Sequence, residues 1–575
     1  MFDLKHKQDA LNNILKVKYV FEPEHPDLSI QCIYGDYPVI HIMHNDDMDN
    51  AFRMLKYSAD WFEHPHPFDR DIRGEADFAA IRLICALYEP ECYNKLPDDI
   101  KESLKKFYTK HDYSSIYGSE NHSLMYTAAR LLAAQFYENE YFENFDISAQ
   151  DCYARDLKYL HEFLDFRAGR GWGEFDSLGY SAEIMLILGT LHKYAADEGL
   201  RNKCHMAMDI ILLDMMADSI EGIYGGAHGR CYPDSIIDRL NSGMAKIYYY
   251  YFGGKFYTGN ELSSVNLYLS DYIPSQIVYD VAYGRVMPFE NRERKHLHCC
   301  SAWMYDILYD VLDKTTGSIN KYTYVCEDYI LGSVNRQDPY PEDLEDGWYA
   351  RHQQHEWELT LPGGGEHKIF SHHSAIADYH KINNRWTGDN RCCCGSFYTN
   401  KNTAVAMYNI ENKDTMPLIN AFVPLEVFGD KIIEEKYLFL EYDKLYISLY
   451  FDNGYRVNHE DEFENKELLS DGWQNAVVCR VEYKDKHASL ADFGEYIKSK
   501  PVLFDREAKT VSFDGVVLRE DGNSDGGAEN VYPYAKTYDC PFMQSDWDSK
   551  VIEVTCGDKK VVYNFVNNEI KMLDK

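Results

Sequence analysis

The chain has 575 residues, 45% hydrophobic and 27% charged, which is globular rather than disordered or collagen-like composition and long enough for two or more domains. Its 94 acidic and 59 basic residues leave a net charge of −35, which argues against nucleic acid or an anionic membrane surface as the main partner. An anionic sugar stays admissible if basic residues gather at its cleft.

The N-terminal run Met1-Phe2-Asp3-Leu4-Lys5-His6-Lys7 is charged and lacks the apolar core of a secretory signal. No apolar stretch approaches membrane-spanning length. Fifteen cysteines in that setting read as reduced thiols, with Cys392-Cys393-Cys394 poorly placed to bridge one another. A cytoplasmic location is therefore expected. Aromatic residues reach 15%, including 48 tyrosines. Such rings stack on sugar faces, but they also fill cores and subunit interfaces, so a homo-oligomer is compatible with the composition.

In chain order, residues 1–335 carry helical periodicity. Ala76 to Tyr88 and Asp98 to Tyr108 form one pair of helices. Between Ser119 and Phe136, Leu124, Ala128, Leu131, Leu132 and Phe136 make an apolar stripe, and a partner helix covers Asp151 to Phe166. Tyr180 to Ala196, with Ile184, Leu188, Leu191 and Ala195 in phase, pairs with Leu200 to Ala217. A further helix opens at Asp234-Ser235 and carries Ile236, Ile237, Leu240, Met244 and Ile247. One hairpin recurs every ~50 residues, within the range of helical arrays. Asn121, Tyr180 and Arg230 each stand near the start of the first helix of successive pairs. Closing the array into an (α/α) toroid would bring them to one rim and one cavity.

The acidic stretch Asp338 to Asp346, with two prolines, marks a linker over residues 336–359. From about Trp357 the pattern turns to period two. Leu445 to Phe451 runs into Asp452-Asn453-Gly454, a hairpin turn signal, and Val551 to Cys556, Gly557-Asp558 and Lys560 to Phe565 make a second hairpin. Ala476 to Tyr483 and Thr510 to Leu518 add strands. The fold class expected is α+β: a helical toroid followed by an antiparallel β-sandwich over residues 360–575.

Three stretches of the helical half could carry chemistry. Ser119 is the expected N-cap of the helix that starts with Asn121-His122. A helix N-terminus disfavours imidazolium, which predicts a neutral His122 able to accept a proton. The Asn121 amide suits a uronate carboxylate, and that contact stabilises the enolate-like charge left when the C5 proton departs. The loop Arg170-Gly171-Trp172-Gly173-Glu174-Phe175-Asp176-Ser177-Leu178-Gly179-Tyr180 adds an aromatic platform in Trp172, two carboxylates in Glu174 and Asp176, and the phenol of Tyr180, capped by Ser177. Trp172 or Phe175 could equally be hydrophobic staples. Tyr224 to Tyr232 sets His228 and Arg230 among three glycines. Arg230 suits a bidentate carboxylate clamp, and His228 an acid, base or substrate contact.

The β half offers Gly363-Gly364-Gly365-Glu366-His367, Ser371-His372-His373, Tyr379-His380 and Arg385-Trp386. Four histidines within fourteen residues could hold a metal at His367, His372 and His380, although alternation along a strand sends His372 and His373 to opposite faces. The expectation is no metal, with His372 or His373 closing the cleft and Arg385 or Trp386 touching sugar. His296, His298, Cys299 and Cys300 are metal-like in type but not in spacing.

At Asn121-His122 and Tyr180, 58 residues on (180 − 122), the chain resembles the toroidal polysaccharide lyases: alginate lyases and the heparinase II/III-like group. The resemblance implies an (α/α) toroid followed by antiparallel sheets over nearly the whole chain. It also implies that Asn121 neutralises a uronate, that His122 and Tyr180 share base and acid roles, and that a β-domain histidine lies near the cleft. The expected function is thus a lyase that cleaves a uronic-acid-containing glycan by β-elimination. Arg230 is the second clamp, and the substrate is an anionic oligosaccharide or polysaccharide. The alternative is a glycoside hydrolase on the same toroid, with Glu174 and Asp176 as acid and base. A non-catalytic carbohydrate-binding protein is the third reading.

Overall fold

The structure is a computed structural model that describes residues 4–16, 35–64, 75–114, 119–255, 265–296, 318–337, 354–373, 385–386, 395–410, 416–520 and 534–574. The helices of the first half are α1 (Leu4–Lys16), α2 (Asp36–Met43), α3 (Met48–Ala59), α4 (Ala76–Tyr88), α5 (Asp98–Lys110), α6 (Glu120–Phe136), α7 (Ala149–Arg170), α8 (Tyr180–Tyr194), α9 (Glu198–Ala217), α10 (Gly243–Phe252) and α11 (Gln276–Gly284). Side-chain caps start several of them. Ser148 accepts from the Asp151 N–H, Asp197 from that of Leu200, and Ser242 from that of Ala245. Ser119 occupies the N-cap position of α6 but makes no capping bond. Ser177 does reach α8: its Oγ accepts the Tyr180 N–H at 3.0 Å.

Neighbouring helices pack in pairs along the chain. Helix α6 contacts both α4 and α7, and α8 contacts both α9 and α6. Helix α1 packs against α10 and the short helix Val265–Leu269. The apolar stripes read from the sequence face one continuous core that includes Leu124, Ala128, Leu131, Leu132, Ile184, Leu188 and Leu191.

The sheets begin earlier than expected. Strands β1 (Phe289–His296), β2 (Ser318–Val325) and β3 (Ile330–Gln337) lie within the stretch assigned to helices from sequence. They escaped notice because the inward face of β1 is Asn291, Glu293 and Lys295, all buried, so its alternation is polar rather than apolar. These strands join β4 (Trp357–Thr360), β5 (Lys368–His373), β6 (Leu418–Phe422) and others in a sheet of thirteen strands among the described residues. One part of it, through Phe289, Tyr538, Ile552, Val554 and Tyr563, packs on the helical core. Another part, through Leu331, Trp357, Leu359, Ile369 and Ile419, faces a six-stranded antiparallel sheet that contributes Ala406, Leu440, Ile447, Leu449 and Val477. The expected hairpin at 551–565 forms, whereas Leu445–Phe451 pairs with Tyr437–Tyr442 before it and with Gln474–Tyr483, and the turn at Asp452-Asn453-Gly454 leads to the other sheet instead of closing a hairpin.

Trp386, expected at the sugar, is fully buried between Phe370, Phe422 and Phe463. Its neighbour Arg385 is equally buried, held by Glu467 and by Asp461 at 2.9 Å. Both serve the core rather than a cleft. Trp386→Ala is therefore expected to cost about 3–5 kcal/mol of stability, read as a lower urea midpoint.

Candidate active site

Two loops and two helix starts form the site. Helix α7 ends at Gly171, whose φ of 69° lies in the left-handed region and whose missing Cβ leaves room for the Lys295 side chain. The loop that follows is tethered by Glu120, the first residue of α6. Its Oε2 accepts the N–H groups of Gly173 and Glu174, each at 2.9 Å, while its other oxygen pairs with Arg167. Burial pushes Glu120 up to about 7, against the pull of Arg167. The second loop is joined to the first by Ser177, whose hydroxyl donates to the Arg230 carbonyl at 2.8 Å. At Gly229 any side chain would strike Phe175. Arg230 itself adopts φ 49°, an uncommon left-handed conformation for a residue with a side chain.

These loops gather polar side chains around Glu174. Asn121, fully buried, donates its amide N–H to both Glu174 oxygens at 2.9 and 2.6 Å. The amide orientation is thereby fixed, and its Oδ1 is left buried without a hydrogen-bond partner. Arg230 Nε lies 3.8 Å from Glu174, and the same guanidinium donates to the Tyr180 hydroxyl at 3.1 Å while covering the Tyr180 ring at 4.8 Å. The Tyr180 hydroxyl meets that of Tyr232 at 2.6 Å. Burial pushes the Tyr180 phenol well up, only partly opposed by Arg230.

His122 differs from expectation. Its Nδ1 lies 2.5 Å from the buried Asp77 carboxylate of α4. Burial alone would lower this imidazole, but Asp77, with Glu174 beyond it, raises it above its ordinary value. The carboxylate in direct contact outweighs the helix N-terminus, and His122 holds its proton more tightly than a free imidazole.

Beneath the site lies a dry cluster of charges. Glu293 and Lys295 are two apart on β1 and share a face, and Lys321 of β2 is registered opposite Glu293. Asp214 and Asp218 project from the end of α9, four residues apart. Lys295 binds Asp176 and, at 2.7 Å, Asp214; Lys321 binds Asp176, Asp218 and, at 3.1 Å, Glu293. Asp176 is buried, and these two ammoniums overcome the burial and hold it far below the carboxylate range. Asp176, Asp214 and Glu293 stand close enough together to grip a metal ion, away from His367, His372 and His380, the set that the sequence left possible while none was expected. The two lysine ammoniums already bind these carboxylates.

The β-side histidines are structural in their contacts. His228 is buried and neutral, lowered by that burial, with Nδ1 on the Asp176 carbonyl at 2.7 Å. Its backbone pairs with that of His355, which is 3.0 Å from His372 and 2.8 Å from Glu358. His373 instead meets the Met416 carbonyl, consistent with alternation along β5. His367 bonds Tyr442. His380, His298 and Cys299, Cys300 and Cys392 to Cys394 lie outside the described residues. Trp172 is buried beside Phe163 in the helical core and offers no sugar platform, which corrects that expectation.

The structure thus groups Asn121, Glu174, Tyr180 and Arg230, with His122 within electrostatic reach of Glu174. It sets apart Trp172, Arg385 and Trp386. Sequence reasoning missed Asp77, Glu120, Arg167, Tyr232, Lys295 and Lys321. Tyr232 alone stood in a stretch already marked by its glycines; the rest sit in helices and strands with no local signal.

No protein-family model matches the chain, and no curated protein matches it. Fifteen solved chains do. They include a xanthan lyase of Paenibacillus (TM-score 0.43, 7% identity, covering 98% of this chain and 64% of that one). A heparan sulfate lyase, HepC, from Pedobacter heparinus matches at TM-score 0.35 and 9% identity, over 91% and 88% of the two chains. A chondroitin AC lyase of Streptomyces coelicolor A3 matches at TM-score 0.26 and 8% identity, over 97% and 92%. The present chain spans about 64% of the length of that xanthan lyase. The likeness to these polysaccharide lyases is one of overall fold, at low sequence identity.

Two expectations follow. Lys321→Met leaves buried carboxylates uncompensated and should cost about 3–5 kcal/mol, measured by urea denaturation. For His122, a raised folded-state value means that the stability it draws from Asp77 fades as pH rises through the folded value, while protonation of Asp77, itself raised by burial, removes it at the acid end. The stability difference between wild-type and Asp77→Asn protein should therefore be widest in mild acid and close towards alkaline pH.

Proposed function

We propose that the chain is a lyase that cleaves a uronic-acid-containing polysaccharide or oligosaccharide by β-elimination, with Tyr180 as the group that moves the proton. The observation that supports this most is the Tyr180 hydroxyl, held at 3.1 Å by a guanidinium and at 2.6 Å by a second phenol. Burial keeps the Tyr180 phenol protonated at rest, and a cation that donates to it opposes that burial and stabilises the phenolate as it forms. Of the two bases that the sequence left open, this favours Tyr180, since Asp77 makes His122 hold its proton more tightly than a free imidazole.

In the proposed course, the uronate carboxylate faces His122 and Arg230. The Tyr180 phenolate takes the C5 proton, and the charge that spreads into the carboxylate meets those two cations. The C4–O bond breaks, a C4–C5 double bond forms, and Tyr180 returns its proton to the leaving oxygen. Asn121 holds Glu174 rather than the substrate carboxylate, and Glu174 in turn steadies Arg230. The substrate is then an anionic glycan on a locally basic spot of an acidic protein.

We further propose that the helical half closes into a toroid and forms the catalytic domain, a reading supported by the packing of α1 on α10. Domains at 1–335 and 360–575 become, on this view, a helical unit ending before Phe289 and a β unit that begins there.

The hydrolase reading needs two working carboxyl groups. Asp176 has each oxygen on a lysine, which leaves Glu174 without a partner in that role. Ultraviolet absorbance of an unsaturated product over a panel of uronate oligosaccharides tests the choice. Tyr180→Phe should lower the rate about 10²–10⁴-fold. Cleavage with uptake of water and no absorbance would remove the elimination reading.

A further inference from the structure

Tyr180 has two hydroxyl-bonding neighbours of different kinds. Arg230 can only donate, so it fills one acceptor position on the Tyr180 oxygen at 3.1 Å. The neutral Tyr180 proton then has the Tyr232 oxygen, 2.6 Å away, as an acceptor within reach, and either hydroxyl of the pair can donate. The guanidinium lies over the Tyr180 ring. Tyr232 is 43% exposed and leads to solvent. Its position is set by the backbone: it is the extended residue just before Pro233, which opens a short helix, and its ring centre is 5.9 Å from that of Tyr180.

We propose that Tyr232 is a positioning residue for the Tyr180 proton, passing it to solvent and then donating its own hydroxyl to the resulting phenolate. The proposal rests on the elimination reading above. The proton balance is simple. The Tyr180 proton moves onto the Tyr232 oxygen as the Tyr232 proton leaves to water or a buffer base. Tyr180 is then a phenolate that accepts from Arg230 on one side and from Tyr232 on the other. During elimination the C5 proton binds the phenolate oxygen and leaves on the C4 oxygen, so the pair ends each cycle as it began. Tyr232 touches no substrate in this scheme. It sets when Tyr180 is ready.

A titration separates this role from a static one by its sign. If Tyr232 only accepts from the neutral phenol, its removal frees Tyr180 to ionise at lower pH. If it donates to the phenolate, its removal makes Tyr180 ionise at higher pH. The experiment places fluorotyrosine at position 180 of the full chain and follows its fluorine resonance against pH, with Tyr232 intact and in Tyr232→Phe. The exposed Tyr232 ring makes this a mild change for the fold. An upward move of about one pH unit or more is expected, the size of a hydrogen bond to a charged group. The rising limb of kcat/KM in the elimination assay should move the same way. No movement, or a downward one, overturns the proposal.

The titration needs no substrate, so the two ideas fail separately. An upward move without elimination of any uronate keeps the hydroxyl pair and discards the reaction. Elimination that depends on Tyr180 yet ignores Tyr232→Phe discards the relay alone.

Discussion

The contact on which the rest depends is the burial of two lysines among carboxylates from three parts of the chain. Lys295 and Lys321 come from adjacent strands, Asp214 and Asp218 from a helix end, and Asp176 from the loop that leads to Tyr180. A buried charge without a partner costs several kcal/mol, so each element is bound to stay where the others are. The loop cannot move without stranding an ammonium. Glu174, two residues before Asp176, inherits that rigidity, and so does the Asn121 amide that grips it.

The same economy explains the site's charges. Most nearby cations are committed to carboxylates of the protein: Arg167 to Glu120, and the lysines to the cluster. Arg230 is held more loosely, with Nε 3.8 Å from Glu174, whereas His122 is paired with Asp77 at 2.5 Å.

Much of the fold was legible in the sequence because apolar periodicity is a direct trace of burial. The stripes of α6 and α8, the hairpin at 551–565 and the cap from Ser177 all follow from local rules. What stayed hidden was polar burial. β1 buries Asn291, Glu293 and Lys295, which read as a solvated stretch, so three strands passed for helical sequence. Trp386 and Arg385 failed in the opposite direction: a pair of residues typical of sugar contacts turned out to be core, because Glu467 neutralises the arginine from a strand 82 residues on. In the site, Asn121, Tyr180 and Arg230 were marked by helix starts and glycines. Asp77, which decides the state of His122, sits 45 residues earlier in an unremarkable helix. Partners at that separation leave no local trace.

The lysine cluster has one more implication. It contains four buried acids, Asp176, Asp214, Asp218 and Glu293, but only two lysine ammoniums. Burial lifts Asp214 far above its ordinary value and Asp218 to about 6, so these two carboxyl groups hold their protons more tightly in the folded chain than in an unfolded one, and their ionisation as pH rises weighs against the fold.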